Sequence, residues 1–315
     1  MLRRAGTLTR DYAAYLAVRA VVCLVQTLSL EACQASARVL AGFIWHVLRL
    51  RRKVVLENLA LAFPEADGRA RRQIALAMWE HLFLMVAEIA HAPRKIHRTN
   101  WRDHSQIESL PELVRHLIAP RPTVLISGHF GNFEMGGYLL GLHGFATHTI
   151  ARPLDNPFLD RWVTRFRGAT GQHMLPKRGS SQQIERLLAT GGTLALLGYQ
   201  YAGDRACCVD FFGKPASTHK AVALFTLSGS APTAVCAVVR LARPLQFRLQ
   251  LAGLIDPQDP ACPHRTVIDI TRWFTAALEA QIRAFPTQYW WVHRRWKGSP
   301  DAARARRRAR RQGAA

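Results

Sequence analysis

The chain has 315 residues, 49% of them hydrophobic and 20% charged, and its 43 Lys and Arg against 21 Asp and Glu leave a net charge of +22 with a pI near 11.1. The apolar share excludes a disordered polybasic chain, which lacks the area to offset backbone entropy. The length suits one large domain or two modest ones, and the charge calls for an anionic counterpart: nucleic acid, a membrane surface or an acidic protein.

Residues 12–30, YAAYLAVRAVVCLVQTLSL, are about as long as a bilayer core requires, but Arg19 interrupts them. No small-residue cleavage site follows, so this is not read as a secretory signal. Residues 32–50 are again largely apolar and end at Arg49, Arg51, Arg52 and Lys53. The pattern predicts a helical hairpin whose cationic end sits on anionic headgroups, through one marginal span or two interfacial helices. The alternative is a pair of core helices in a soluble domain.

Between residues 68 and 92, Ile74, Ala77, Met78, Leu82, Met85, Val86 and Ile89 recur at helical spacing, which predicts an amphipathic helix on a core. From Thr123 short apolar runs alternate with helical stretches. TVLIS, LALLG and TAVCAVV read as buried strands. Residues 158–168, 181–189, 221–227 and 267–284 read as helices. This alternation predicts an α/β fold, a mixed sheet covered by helices, preceded by a membrane-associated helical segment. The expected division is residues 1–53 for the anchoring helices, 54–298 for the main domain and 299–315 for an arginine-rich tail. The six cysteines form no C-x-x-C pair, which points to a reducing compartment. Adjacent Cys207 and Cys208 read as small strand residues rather than a redox pair.

The most informative stretch is TVLISGHFGNFEMGGYLL, residues 123–140. A strand ends at Ser127, Gly128 permits a turn, His129 follows, and Gly131 and Asn132 lead into a helix carrying Glu134. In one continuous helix, residues five apart point about 140° away from each other. His129 and Glu134 can therefore meet only if the chain turns between them, which the glycines allow. A carboxylate on one imidazole nitrogen leaves the other ready to take a proton from a hydroxyl. The alternative is a loop histidine beside a helix-capping glutamate. No G-x-S-x-G elbow, no H-E-x-x-H and no metal-ligand spacing occurs, so no serine nucleophile, metal or cofactor is expected.

SGHFGNFEMGG resembles the H-x4-E block of the bacterial lipid A late acyltransferases, the lauroyl and myristoyl transferases of the glycerolipid acyltransferase superfamily. Further blocks are similar in the family's order: ENLALAFPE (57–65), ARPLDNPFLDRWVTRFRGATG (151–171), DFFGKPAS (210–217) and QYWWVHRRWK (288–297). The resemblance implies a glycerolipid-acyltransferase-like fold, with His129 as general base and Glu134 as its orienting partner. It implies substrate-binding roles for Asn132, Arg152, Arg167, Arg294 and Arg295, with His293 in the same terminal block. It also implies acyl carrier protein as donor, a membrane glycolipid as acceptor and work at the cytoplasmic face of an inner membrane, without nucleic acid.

One departure stands out. Where the family has D-Q-D or D-H-D, this chain has Tyr199, Gln200 and Tyr201, with Asp204 three residues beyond. An acceptor other than lipid A is the nearer alternative: a phosphatidylinositol mannoside, an aminolipid or a lysophospholipid. A non-enzymatic basic protein on a membrane or nucleic acid is the alternative from another class, although no DNA-recognition signature is present.

Overall fold

The computed structural model describes residues 2–108, 111–177, 179–198, 200–203 and 206–297; Tyr199, Asp204 and the arginine-rich tail lie outside them. The strands are β1 (Ser105–Glu108), β2 (Thr123–Ser127), β3 (Thr147–Ala151), β4 (Gln172–Pro176), β5 (Thr193–Leu197), β6 (Cys207–Phe211), β7 (Lys214–Thr218), β8 (Thr233–Arg240) and β9 (Phe247–Ile255). The helices are α1 (Leu2–Thr27), α2 (Leu30–Phe43), α3 (Arg52–Ala62), α4 (Gly68–Lys95), α5 (Pro111–Ile118), α6 (Phe133–Leu142), α7 (Pro157–Gly168), α8 (Ser181–Ala189), α9 (Ala221–Ser228) and α10 (Val267–Ala284).

Seven strands form one sheet in the order β1-β9-β8-β2-β5-β3-β4, parallel throughout except where β8 meets β9. Successive side chains of a strand point to opposite faces, so both faces of the central strands need cover. Val124 and Ile126 of β2 belong to the larger core, with Phe274 and Leu278 of α10, Val222 of α9, Ile184 of α8 and Leu59 of α3. Leu125, between them, belongs to the opposite core with Met135, Tyr138 and Leu139 of α6 and Leu113 of α5. This two-sided burial is why β2 and β8 read as unbroken apolar runs.

The expected α/β architecture with a mixed sheet covered by helices is present. The helices over 181–189 and 267–284 run over those residues in the structure. Cys207 and Cys208 lie on β6 as unpaired thiols. Hairpin β6–β7 turns through Phe212 (φ 54°) and Gly213 (φ 66°), the two-residue geometry that suits the twist of paired strands. The apolar stripe of 68–92 differs from expectation. Val86 is exposed, whereas polar His81 and Glu88 are buried, because α2 covers one side of α4 and the sheet's loops cover another.

The N-terminal helices pack on this body. Cys33 and Ala37 of α2 meet Leu84 and Ala87 of α4. Tyr12 of α1 meets Phe158 of α7 edge to face at 5.1 Å, and Asn156 Nδ2 donates to the carbonyl of Asp11 at 2.7 Å. Arg19, the interruption in the apolar stretch, lies 5.6 Å from the Trp162 ring. Among the described helices α4 is the one long and apolar enough to cross a membrane, and 56% of that stretch is buried within the protein. The helix expected over 32–50 stops earlier. Regular α2 gives way to a π-helical turn, Ile44–Leu48, and the chain then reverses through Arg49 and Arg51, both with positive φ.

Candidate active site

His129 stands at the carboxyl end of parallel strand β2, where open α/β sheets characteristically bind ligands. The chain turns there as the glycines predict, and Glu134 falls in the first turn of α6. Gly131 adopts φ 59°, and a Cβ on it would lie 2.0 Å from the carbonyl oxygen of Val238, so only glycine fits. The loop is anchored on both sides. Asn132 N donates to Val238 O at 2.8 Å, Gly131 N to Gln288 O at 2.9 Å, and Trp290 N to His129 O at 3.1 Å. Phe130 bridges to Tyr289.

Beneath the loop lies a buried polar frame. Asn132, fully buried, caps α6 by accepting from Met135 N at 3.3 Å and donates to Glu88 Oε2 at 2.8 Å. Arg240, at the end of β8, grips Glu88 through Nε at 2.5 Å and a terminal nitrogen at 2.7 Å. Its other terminal nitrogen lies 2.7 Å from His81 Nδ1. Arginine only donates, so His81 Nδ1 accepts, the ring is neutral, and Nε2–H donates to Gly131 O at 3.2 Å. Burial, reinforced by Arg240, holds His81 well below the usual histidine range, consistent with that tautomer. Gln288 closes the frame through two 2.9 Å bonds with the Arg240 backbone. The turn that presents His129 is thus fixed by hydrogen bonds from α4, β8 and the C-terminal segment, those through Glu88 and Arg240 being charge-assisted.

His129 is half-buried, with Phe133 at 4.8 Å and Trp290 at 5.1 Å between ring centroids. Burial, with a smaller push from His293, lowers it to about 4, so the ring is neutral at neutral pH and holds a lone pair. The Gln200 amide nitrogen lies 3.4 Å from its Nε2. The carboxylate of Glu134 accepts two bonds from Arg167, from Nε at 2.9 Å and a terminal nitrogen at 2.6 Å. This fork lies on the wall of an apolar cavity of about 140 Å³ between α6 and the sheet. Phe133, Leu140, Leu125, Leu197 and Val238 line it, with Gly136 and Gly137 leaving room on the helix side.

The other expected residues occupy different settings. Arg152 is exposed and pairs with Asp155 at 2.6 Å. Arg294 is exposed on the surface, whereas Arg295 is buried. Its terminal nitrogens donate to Ser217 O at 2.7 Å and Thr218 Oγ1 at 2.6 Å, and the guanidinium covers Phe211 at 4.9 Å. Asn58, from the ENLALAFPE block, donates to the carbonyls of Trp291 and His293, each at 2.7 Å, and Phe63 packs on Trp291. Sequence blocks far apart in the chain therefore meet as one clamp behind the site. His81, Glu88 and Arg240 escaped sequence reasoning, and Gln288 was marked only as the start of the QYWWVHRRWK block. One signal was available: His81 and Glu88 are two turns apart, on one face of a helix whose neighbours Leu84 and Met85 are apolar.

The family model of the bacterial lipid A biosynthesis acyltransferases matches residues 4–298. The lipid A biosynthesis lauroyltransferase of Escherichia coli (strain K12) is 26% identical over 270 residues, 82% of this chain and 83% of that protein. The palmitoleoyltransferase of the same strain is 27% identical over 263 residues, 80% of this chain and 81% of that protein. A lipid A biosynthesis acyltransferase of Haemophilus influenzae is 25% identical over 274 residues, 82% of this chain and 83% of that protein. Among solved structures, the 1-acyl-sn-glycerophosphate acyltransferase of Thermotoga maritima aligns with a TM-score of 0.37 and 13% identity, over 83% of this chain and all of that one. With the match spanning nearly all of its length, the chain belongs to the bacterial lipid A biosynthesis acyltransferase family and is an acyltransferase.

Proposed function

We propose that the protein moves a fatty acyl chain from acyl carrier protein to a hydroxyl of a lipid A precursor or related membrane glycolipid, at the cytoplasmic face of the inner membrane. The carrying observation is a neutral histidine, fixed at the end of β2 by a buried frame and packed on Phe133, which lines an apolar cavity. In the proposed reaction His129 accepts the hydroxyl proton as the oxygen attacks the thioester carbonyl. The carbon–sulfur bond breaks, and the thiolate leaves on the carrier and takes up a proton. Holding both reactants beside one base replaces a bimolecular encounter in water. The apolar lining of the cavity under α6 suits part of an acyl chain, and the names of the relatives, lauroyl and palmitoleoyl transferases, support a fatty acyl donor. The fork between Glu134 and Arg167 stands on the cavity wall, suited to positioning the thioester or a polar group of the acceptor.

The test is transfer of labelled acyl groups from acyl carrier protein to a lipid A precursor by the purified protein. His129→Ala is expected to lower the rate by roughly 10²- to 10⁴-fold with the fold retained. Full activity in that variant would remove His129 from the chemistry. Gln200 and Tyr201 stand beside His129 and His293, where the family carries an acidic pair around the middle residue. This favours a related acceptor as the second reading. Mass spectrometry of lipids from a deletion strain separates the two: lipid A lacking one chain supports the first, and unchanged lipid A with another lipid under-acylated supports the second.

A further inference from the structure

Six cations from two stretches far apart in the chain line one open basin of about 560 Å³. Arg49, Arg51, Arg52 and Lys53 come from the reversal before α3 and its first turn, and Arg294 and Lys297 come from the C-terminal segment. So many like charges repel unless an anion lies among them. Among the described residues, the one ion pair any of them makes is Lys53 with Glu57, at 4.0 Å between largely exposed groups. Arg52 lies 4.9 Å from the Trp45 ring and is held by it. Arg49 and Arg51 sit at φ 50° and 52°, a conformation that glycine adopts freely and arginine does not. Both arginines thus occupy backbone positions where glycine would carry less strain.

Two further features narrow the ligand. Val39, Leu40, Phe43, Val47, Leu48 and Leu50, on the run leading into the basin, are all exposed. Exposed apolar side chains beside a cluster of cations match a bilayer interface, with hydrocarbon next to phosphate. The basin also adjoins the chemistry. Trp290 is bonded to His129, and Arg294 follows four residues later, so its Cα lies within roughly 14 Å of that of Trp290. Arg51 is also close enough to help hold His293 below the usual histidine range, after burial and Arg295.

We propose that this basin is a phosphate-binding subsite that takes a phosphomonoester of a lipid lying in the membrane surface and holds that lipid beside His129. The part of this that concerns His129 rests on the acyl-transfer reading above; the binding of lipid phosphate does not. The two sources of such a group are a phosphorylated glycolipid acceptor and an ordinary anionic phospholipid.

The experiment is flotation of the full chain with phosphatidylcholine vesicles alone, or carrying phosphatidic acid, phosphatidylglycerol, a monophosphorylated lipid A precursor, or that precursor dephosphorylated. Wild type is expected to bind the phosphomonoester vesicles at least about tenfold better than neutral or dephosphorylated ones. Preference for the precursor over phosphatidic acid identifies the acceptor as the source, and equal binding identifies the headgroup phosphate. Arg49→Gly with Arg51→Gly removes two guanidinium groups at positions where glycine relieves the backbone. This variant is expected to lose the preference while its Tm stays at or above wild type. Arg294→Ala with Lys297→Ala is expected to lose it as well. The proposal falls if wild type shows no phosphate preference, or if both variants keep it. It also falls if the variants bind vesicles normally and change only the KM for acyl carrier protein, which would make the basin a carrier-docking surface. Failure of wild type to acylate any lipid A precursor would overturn the proposed reaction and leave the vesicle result standing.

Discussion

His129 carries the plainest pH prediction. Its value near 4 lies below the ordinary 6.5, so the free base is already present throughout the neutral range. The acid limb of kcat/KM is expected near 4 rather than between 6 and 7, in a profile measured with a saturating acyl donor. A limb near 6.5 would show that the ring is not desolvated in the working enzyme. Glu134 poses a sharper question, because its carboxylate is held by Arg167. If it acts through Arg167, Glu134→Gln and Arg167→Ala should raise the KM of one substrate alike and leave the pH limb in place. If it orients His129, Glu134→Gln should move the limb and Arg167→Ala should not. Both carboxylate and guanidinium were legible in the sequence as members of family-like blocks. Their pairing was not, because it depends on where α7 lies over α6.

At the scale of elements, the frame of α4, β8 and the C-terminal segment does the positioning. Glu88 is fully buried and Arg240 nearly so, so removing one partner leaves a charge without its counterpart. Glu88→Ala is expected to cost about 3–5 kcal/mol, measured by denaturant unfolding, with the Glu88→Ala, Arg240→Ala double variant losing much less than the sum. Additive losses would mean that the two residues stabilise the fold independently. Gly131→Ala meets Val238 O at 2.0 Å in a left-handed conformation, so about 3 kcal/mol or more of stability should be lost with the loop geometry. The cavity makes a different prediction. Gly136→Val adds bulk to its helix wall, where a Cβ already approaches Val238 Cγ2 at 3.4 Å. The preferred donor should become shorter, read from competition between acyl carrier proteins loaded with different chains.

For the whole molecule, acid and salt are the relevant variables. Burial lowers His81, His91, His129, His143, His148, His219 and His293 together. A histidine depressed in the folded state favours folding above its unfolded value, near 6.5, and this contribution is lost as pH falls toward the folded value. Tm should therefore drop steadily below about pH 6.5, and a flat Tm down to pH 4 would contradict the burial of these rings. Membrane retention should combine two sources. The N-terminal helices expose Leu8, Tyr12, Leu16, Val21 and Leu24, and the net charge of +22 adds attraction that salt screens. Retention on anionic vesicles should weaken on going from low salt to ~1 M but not vanish, whereas deletion of residues 299–315 should weaken it without changing activity.

By itself the amino-acid sequence determined what is local. Unbroken apolar runs marked β2, β5 and β8 because strands covered on both faces cannot show alternation. The glycines around His129 marked a turn, and at Gly131 φ of 59° with Val238 O pressed against it admits only glycine; helical spacing placed α8 and α10. Edge strands β1 and β4, and β3 beside β4, were not legible, since short, half-buried segments such as QHMLP carry no strong period. Only the tertiary structure decided which charges meet. Glu88 and Arg240 are 152 residues apart, Arg51 and Arg294 are farther apart still, and Arg295 sits inside while its neighbour Arg294 stays outside. Charge, as a property of composition, says that an anionic partner is needed. Where each cation points is set by packing between elements distant in sequence, and that packing separates the buried frame behind His129 from the open basin lined by Arg51 and Arg294.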